Sequence, residues 1–260
     1  MDEVAGLEST TFSTQVVSTE GHAIAVERTM RWGAGGYGAH TEKAGAGGAT
    51  TWYFAEGASG WFSTYLLLGN PHATANTATV EWLREGEPVL TRSYELLPYS
   101  RTTIDTYKDA ELRDRAFGAK VTFDQPGVAE RTMYFGTDPL WTGGGAAAGQ
   151  TSLSARWDFA EGATGTYFTT FLLLANPGTT PANVTLTYFP QDGTPVTVTD
   201  TLAAGQRMTR NIAFEHPSLA NAAMAFRVES TQPIVAERAQ YWGTPAVSYT
   251  HLTLPTNREV

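Results

Sequence analysis

Trp52-Tyr53-Phe54-Ala55-Glu56-Gly57 returns further along the chain as Trp157-Asp158-Phe159-Ala160-Glu161-Gly162. The residues downstream of each copy also correspond: Tyr65-Leu66-Leu67-Leu68-Gly69-Asn70-Pro71 against Phe171-Leu172-Leu173-Leu174-Ala175-Asn176-Pro177. Later, Glu130-Arg131-Thr132-Met133-Tyr134-Phe135-Gly136 matches Glu237-Arg238-Ala239-Gln240-Tyr241-Trp242-Gly243. A third copy of that last motif, Glu27-Arg28-Thr29-Met30-Arg31-Trp32-Gly33, has no opening motif before it. The chain reads as the end of one repeat followed by two complete ones, at a period of roughly 105 residues. Each repeat is long enough to bury its own core, unlike short solenoid repeats that need neighbours.

Strand signals run in the same order through both repeats. The opening motif starts a strand, and Phe62 to Gly69 is an apolar run suited to a central one, stopped by Asn70-Pro71. Thr77 to Leu83 alternates, with Ala78, Val80 and Trp82 on one face, and the turns Glu85-Gly86-Glu87-Pro88 and Asp192-Gly193-Thr194-Pro195 predict hairpins. Val89 to Leu96, Ser100 to Thr106, Ala119 to Phe123 and Val128 to Phe135 complete the set. One or two helical turns are expected at Asp109–Arg115 and at Pro217–Ala222. About seven short strands per repeat at 8–12-residue spacing predict an all-β fold of tandem immunoglobulin-like (fibronectin-like) β-sandwiches.

The expected boundaries are 1–33 for the C-terminal fragment of a preceding repeat, 51–136 and 156–243 for the two sandwiches, and 34–50 and 137–155 for glycine-rich linkers. In the fragment, Thr11 to Ser18 and Ala23 to Trp32 read as two strands. A lone hairpin is marginal in water, so it is expected to dock loosely on the next domain or to be poorly ordered. Residues 244–260 form a tail. From about 247 it resembles one reading frame of a transposon-end sequencing adaptor, so the natural sequence is expected to stop near Ala246.

A formal charge of -9 argues against nucleic acid or an anionic membrane surface as partner. With no cysteine, disulfides, thiolate metal sites and a cysteine nucleophile are excluded. The opening Met1-Asp2-Glu3-Val4 is not a signal peptide, and no apolar run reaches the roughly 18 residues of a membrane span.

Two carboxylates per repeat, Glu56 with Glu130 and Glu161 with Glu237, would suit a glycosidase if held about 5–10 Å apart across a cleft. The structural reading is stronger: Glu56 pairs with Arg131, and Glu161 with Arg238, fixing the opening motif to the last strand. Arg101 and Arg207 recur as well and are taken as structural charges. The five histidines have no helical-spacing partners, and Asp105, Asp109, Glu111 and Asp114 lack a calcium-loop pattern, so no metal, cofactor or catalytic residue is assigned. Trp52 and Trp157 are expected in the cores. Trp61, Tyr99 and Trp141 do not recur and are candidate carbohydrate contacts, set against the alternative that they pack between strands.

Taken together, Trp-Tyr-Phe-Ala-Glu-Gly, Leu-Leu-Leu-x-Asn-Pro, Ser-Arg-Thr-Thr-Ile-Asp (100–105) and Glu-Arg-Thr-Met-Tyr make residues 10–243 resemble a family of bacterial surface repeats with no assigned activity. The resemblance implies immunoglobulin-like units in a large exported protein, in an extracellular or cell-envelope setting, and carries no site residues. It points to a non-catalytic structural or adhesive region whose partners are other domains of the same polypeptide, an extracellular polysaccharide or another surface protein. The alternative is a carbohydrate-binding module accessory to a secreted enzyme. Asp158 stands where the opening motif has tyrosine, and Asn211 where Asp105 stands, so neither position is an obligatory catalytic group.

Overall fold

Alternation at Ala78, Val80 and Trp82 buries one face of a strand running from Asn76 to Arg84. This is seen in a computed structural model that describes residues 4–7, 10–33, 38–45, 47–60, 62–137 and 140–243. The protein is all-β, with 62% strand and 4% helix in several curled, sandwich-like sheets. No helix among the described residues is long and apolar enough to cross a membrane. Two compact units are present: Val89–Ser152 together with the chain up to Arg84, and a second beginning at Leu153.

The first unit holds β1 (Glu27–Trp32), β2 (Gly38–Lys43), β3 (Ala49–Phe54), β4 (Phe62–Asn70), β5 (Asn76–Arg84), β6 (Leu90–Leu96), β7 (Ser100–Asp105), β8 (Phe117–Thr137) and β9 (Leu140–Ala148). The second holds β10 (Ser154–Ala163), β11 (Phe168–Asn176), β12 (Ala182–Pro190), β13 (Val196–Leu202), β14 (Gln206–Asn211) and β15 (Ala223–Trp242). All the pairings are antiparallel.

The closing pair of strands expected at 119–123 and 128–135 is one 21-residue strand, β8. Its first half pairs with β5 and β3, its second with β4 and β9, so one strand belongs to both layers. β15 does the same with β12 and β10, then with β11. The bend falls at Gln125-Pro126-Gly127, where the register against β3 slips between Thr51↔Thr122 and Ala49↔Gly127. Proline cannot donate to a ladder, and a bulge is where a strand tolerates it. Side chains hold the bend. Asn76 Nδ2 donates to the Gln125 carbonyl at 2.8 Å, and the Trp52 indole N–H donates to the Gly127 carbonyl at 2.9 Å. In the second unit Gln232-Pro233-Ile234 stands at the bend, and Trp157 donates to the Ile234 carbonyl at 3.1 Å. The opening tryptophan therefore clamps the last strand as well as filling space. Trp52 is buried in a core with Trp82, Phe117, Val121, Leu66 and Leu68, while Trp157 is half-buried against its own.

The glycine-rich stretches are strands where linkers were expected: β2 falls within 34–50 and β9 within 137–155. Residues 34–37, 46, 138 and 139 of those stretches, and the tail from 244, lie outside the described residues. Glycine is flexible when nothing pairs with it. Here each stretch finds a ladder partner, β2 on β1 and β9 on β8, and its missing side chains let aromatic rings lie across it. The ring of Trp32 occupies the space over Gly38, and Phe135 that over Gly143.

Residues 10–33 also depart from expectation. Thr11–Ser18 is not a strand, since β-branched residues without a partner do not make one. β1 is fastened to its own unit, with Arg28 paired to Glu130 at 2.9 Å and the Trp32 indole donating to the Trp141 carbonyl at 3.0 Å. The helical turn expected at Pro217–Ala222 is present as a 3₁₀ turn, Pro217–Leu219. The stretch from Asp109 is a hydrogen-bonded turn, with the Leu112 and Arg113 N–H groups donating to the Asp109 carbonyl. Further 3₁₀ turns stand at Thr106–Lys108 and Ile212–Phe214. Asp105 accepts from the Tyr107 N–H of the Thr106–Lys108 turn, and Asn211 from the Ala213 N–H of the Ile212–Phe214 turn. Either side chain serves as that cap, which accounts for the exchange.

Candidate functional site

The recurring charges meet at the junction between opening motif and last strand. Glu56 follows β3, and Arg131 stands on β8 opposite Leu66. Arg131 donates through Nη2 to Glu56 Oε2 at 2.7 Å and through Nη1 to the Glu56 carbonyl at 2.8 Å. Arg238 makes the matching bonds to Glu161, at 2.9 Å to the carboxylate and 2.7 Å to the carbonyl. The geometry repeats but the surroundings do not. The side chains are 11% and 9% exposed in the first unit, and 68% and 29% in the second.

Unequal burial should give unequal costs. Glu56→Ala is expected to destabilise its unit by about 1–3 kcal/mol, because Arg131 loses its carboxylate where water cannot replace it. Glu161→Ala is expected to cost less than about 1 kcal/mol, as for other solvated pairs. Urea unfolding of the two variants checks this, and equal shifts would refute the argument from burial.

Arg101 lies half-buried on β7 opposite Gly69, its pKa lowered by burial and then by the neighbouring charge of Arg28. Arg207 is buried on β14 opposite Ala175. Three of the acidic residues are tied to bases: Asp109 to Arg92 at 3.0 Å, Glu111 to Arg84 at 3.6 Å and to Arg92 at 3.9 Å, and Asp105 to Lys108 at 3.5 Å. No cluster of metal-ligating side chains exists among the described residues. Asp158 bonds Arg156 and Arg227, each at 2.8 Å, and these arginines lower its pKa to about 2.

Tyr99 sits in the turn before β7 at positive φ, 73% exposed, its N–H donating to the His72 carbonyl. Trp141 is packed: its ring stacks on Tyr134 with centroids 4.5 Å apart, and its indole donates to Ser63 Oγ at 3.3 Å. Tyr99 lies by the Asn70 end of β4 and Trp141 by the Ser63 end, so strand rise separates them by roughly 20 Å. They share no flat face. Trp61 lies outside the described residues.

Around Trp141 the rings of Trp32, Tyr65, Tyr134 and His40 form an aromatic layer between the β1–β2 hairpin and β8. His40 is buried in it, its pKa lowered by desolvation and by Arg28, with Glu130 opposing. His72 bonds the Pro126 carbonyl at 2.7 Å, and His216 caps a 3₁₀ turn through Ser218.

Sequence reading missed a set of small polar residues that recur and are buried. Asn70 donates to the carbonyls of Thr74, Leu97 and Leu96 at 2.8, 2.9 and 3.3 Å and accepts from the His72 N–H. Asn176 repeats this with Thr180, Leu202 and Gly178. The Thr64 hydroxyl bonds the Ala58 carbonyl, and that of Ser59 the Leu112 carbonyl. Thr170 and Thr164 do the same with Ala163 and Leu219, at 2.6 and 2.5 Å. The signal was available in the recurrence of Asn-Pro and of these hydroxyls at matched places.

A shallow depression of about 250 Å³ in the second unit is lined by Glu161, Gly162, Phe189, Gln191 and Met224 among others. Glu161 is its one carboxylate among the described residues, so it holds no acid pair of the glycosidase kind.

No protein-family model and no curated protein matches the chain. Among solved structures it is similar to protein 1070 of Thermotoga maritima, at 15% identity, TM-score 0.36, covering 40% of this chain and 94% of that one. It is also similar to the Anabaena sensory rhodopsin transducer, at 22% identity, TM-score 0.30, covering 33% and 86%. Neither likeness is close enough to carry function across.

Proposed function

We propose that the chain is a non-catalytic structural and adhesive region of a larger bacterial exported or surface protein, its units acting as tandem immunoglobulin-like spacers or interaction modules. One observation carries this: the residues that recur between units are used inside them. Arg131, Asn70, Thr64 and Trp52, with their counterparts Arg238, Asn176, Thr170 and Trp157, bond backbone of their own unit. A duplicated active site would instead aim its recurring groups at open space. The order of motifs supports the envelope setting and a relation to other domains of the same polypeptide.

The test incubates the full chain with insoluble polysaccharides and peptidoglycan. No release of reducing ends is expected, and any retention is expected to survive Tyr99→Ala and Trp141→Ala. Release that disappears in Glu56→Gln would overturn the non-catalytic reading. Retention abolished by Tyr99→Ala would replace it with a carbohydrate-binding module.

A further inference from the structure

His40 is a buried histidine in the contact between the β1–β2 hairpin and the β8–β9 pair of the first unit. Its ring lies 5.7 Å from that of Trp32 and 5.9 Å from that of Tyr134, tilted against both. The fastenings of the hairpin surround it. Arg28 pairs with Glu130, the Trp32 indole donates to the Trp141 carbonyl, and the Tyr134 hydroxyl donates to Met30 Sδ at 3.2 Å.

The two ring nitrogens of His40 are not equivalent. Nε2 stands 3.5 Å from the Tyr134 hydroxyl, whose proton goes to Met30, so the oxygen accepts and Nε2 carries the hydrogen. Nδ1 is buried with no hydrogen-bond partner among the described residues. A neutral ring leaves only a lone pair there. A protonated ring would place an N–H and a full charge where nothing accepts them.

The surrounding charges do little to relieve this. Arg28 of β1 repels an imidazolium, and Glu130 of β8 attracts it but is already bonded to Arg28. Arg101 of β7 acts on the same Glu130, Tyr134 of β8 has its pKa raised by burial and stays neutral, and β9 carries no ionisable side chain. Glu42 lies two residues on, on the same face of β2, and burial followed by Glu130 raises its pKa.

We propose that His40 is an acid-sensitive latch, and that its protonation releases the β1–β2 hairpin from β8 and β9 while the rest of the first unit stays folded. Burial and then Arg28 lower the pKa of His40 in the docked state, so the released hairpin takes up the proton more readily. Docking is therefore at full strength above about pH 6.5 and weakens as the pH falls below it. Glu42 acts in the opposite sense, since its raised pKa makes protonation easier in the docked state and favours docking toward the carboxylate range. The latch is independent of surface location and adhesion.

Amide hydrogen exchange of the full chain between pH 7.5 and 5 tests it. Opening that takes up one proton changes about tenfold per pH unit, so protection factors over Glu27–Lys43 are expected to fall by up to that much below pH 6.5. Those over Asn76–Arg84 are expected to hold. His40→Phe keeps an aromatic ring that cannot be protonated and should abolish the fall, whereas Glu42→Gln should leave it or steepen it. Constant protection over Glu27–Lys43 in the parent would overturn the latch, and so would an equal fall in His40→Phe. Should His40→Phe fail to dock at pH 7.5, the imidazole proton resonances of the parent decide. A midpoint for His40 below about 6.5 supports the latch, and one at or above it refutes it.

Discussion

Replacing Asn70 with alanine should cost the first unit about 3 kcal/mol. The side chain is buried at the end of β4, where its amide serves carbonyls of Thr74, Leu96 and Leu97 and its oxygen holds the His72 N–H. Alanine removes every one of these bonds at once and leaves buried backbone groups without their partners. Asn70→Asp distinguishes packing from hydrogen bonding. It keeps the volume and the acceptor but turns a second oxygen toward carbonyl oxygens, so it should be no better than alanine. Urea unfolding followed by tryptophan fluorescence reads both, with Asn176→Ala as the parallel case. A shift below about 0.5 kcal/mol would show that the network is replaceable.

Gly144→Val and Gly145→Val should differ sharply although the positions are adjacent. At Gly144 the new side chain meets the Tyr134 ring and the Met133 carbonyl, and the ring is held between Trp32 and Trp141, so about 2–3 kcal/mol should be lost. At Gly145 nothing lies within 4 Å of an added Cβ. Valine there suits an extended strand and restrains the unfolded chain, so stability should hold or rise slightly. A flexible linker would tolerate both changes, and equal small shifts would restore that reading.

Short-range pattern was enough for much of the architecture. Alternation at Ala78, Val80 and Trp82 marked a half-buried strand, and Gly86, at φ 72°, marked the turn joining β5 to β6. Recurrence was enough to pair Glu56 with Arg131, because an acid and a base that travel together suggest each other. What failed depended on distant partners. Gln125-Pro126-Gly127 looks like a turn because proline lacks a donor, and only Asn76 and Trp52, from earlier strands, make it a bend within one strand. The glycine runs look like linkers until the rings above them are known. The unequal burial of the two ion pairs was equally hidden, since Glu56 and Glu161 have similar neighbours in sequence. Asn70 was read as punctuation before proline, whereas its side chain is the larger part of its role.

The long strand shared by both layers also governs how a unit comes into being. Ladder pairs such as Trp52↔Val121 and Phe62↔Phe135 join the beginning of the first unit to its end. Emerging from the ribosome, β3 to β7 would have no shared partner until β8 is made, so neither layer can close early. Such distant pairings put folding in the millisecond-to-second class. Until then the apolar faces of β4 and β5 stand open to other nascent chains. Each unit is thus a late, all-at-once event in its own synthesis, with its vulnerable interval set by the arrival of one strand.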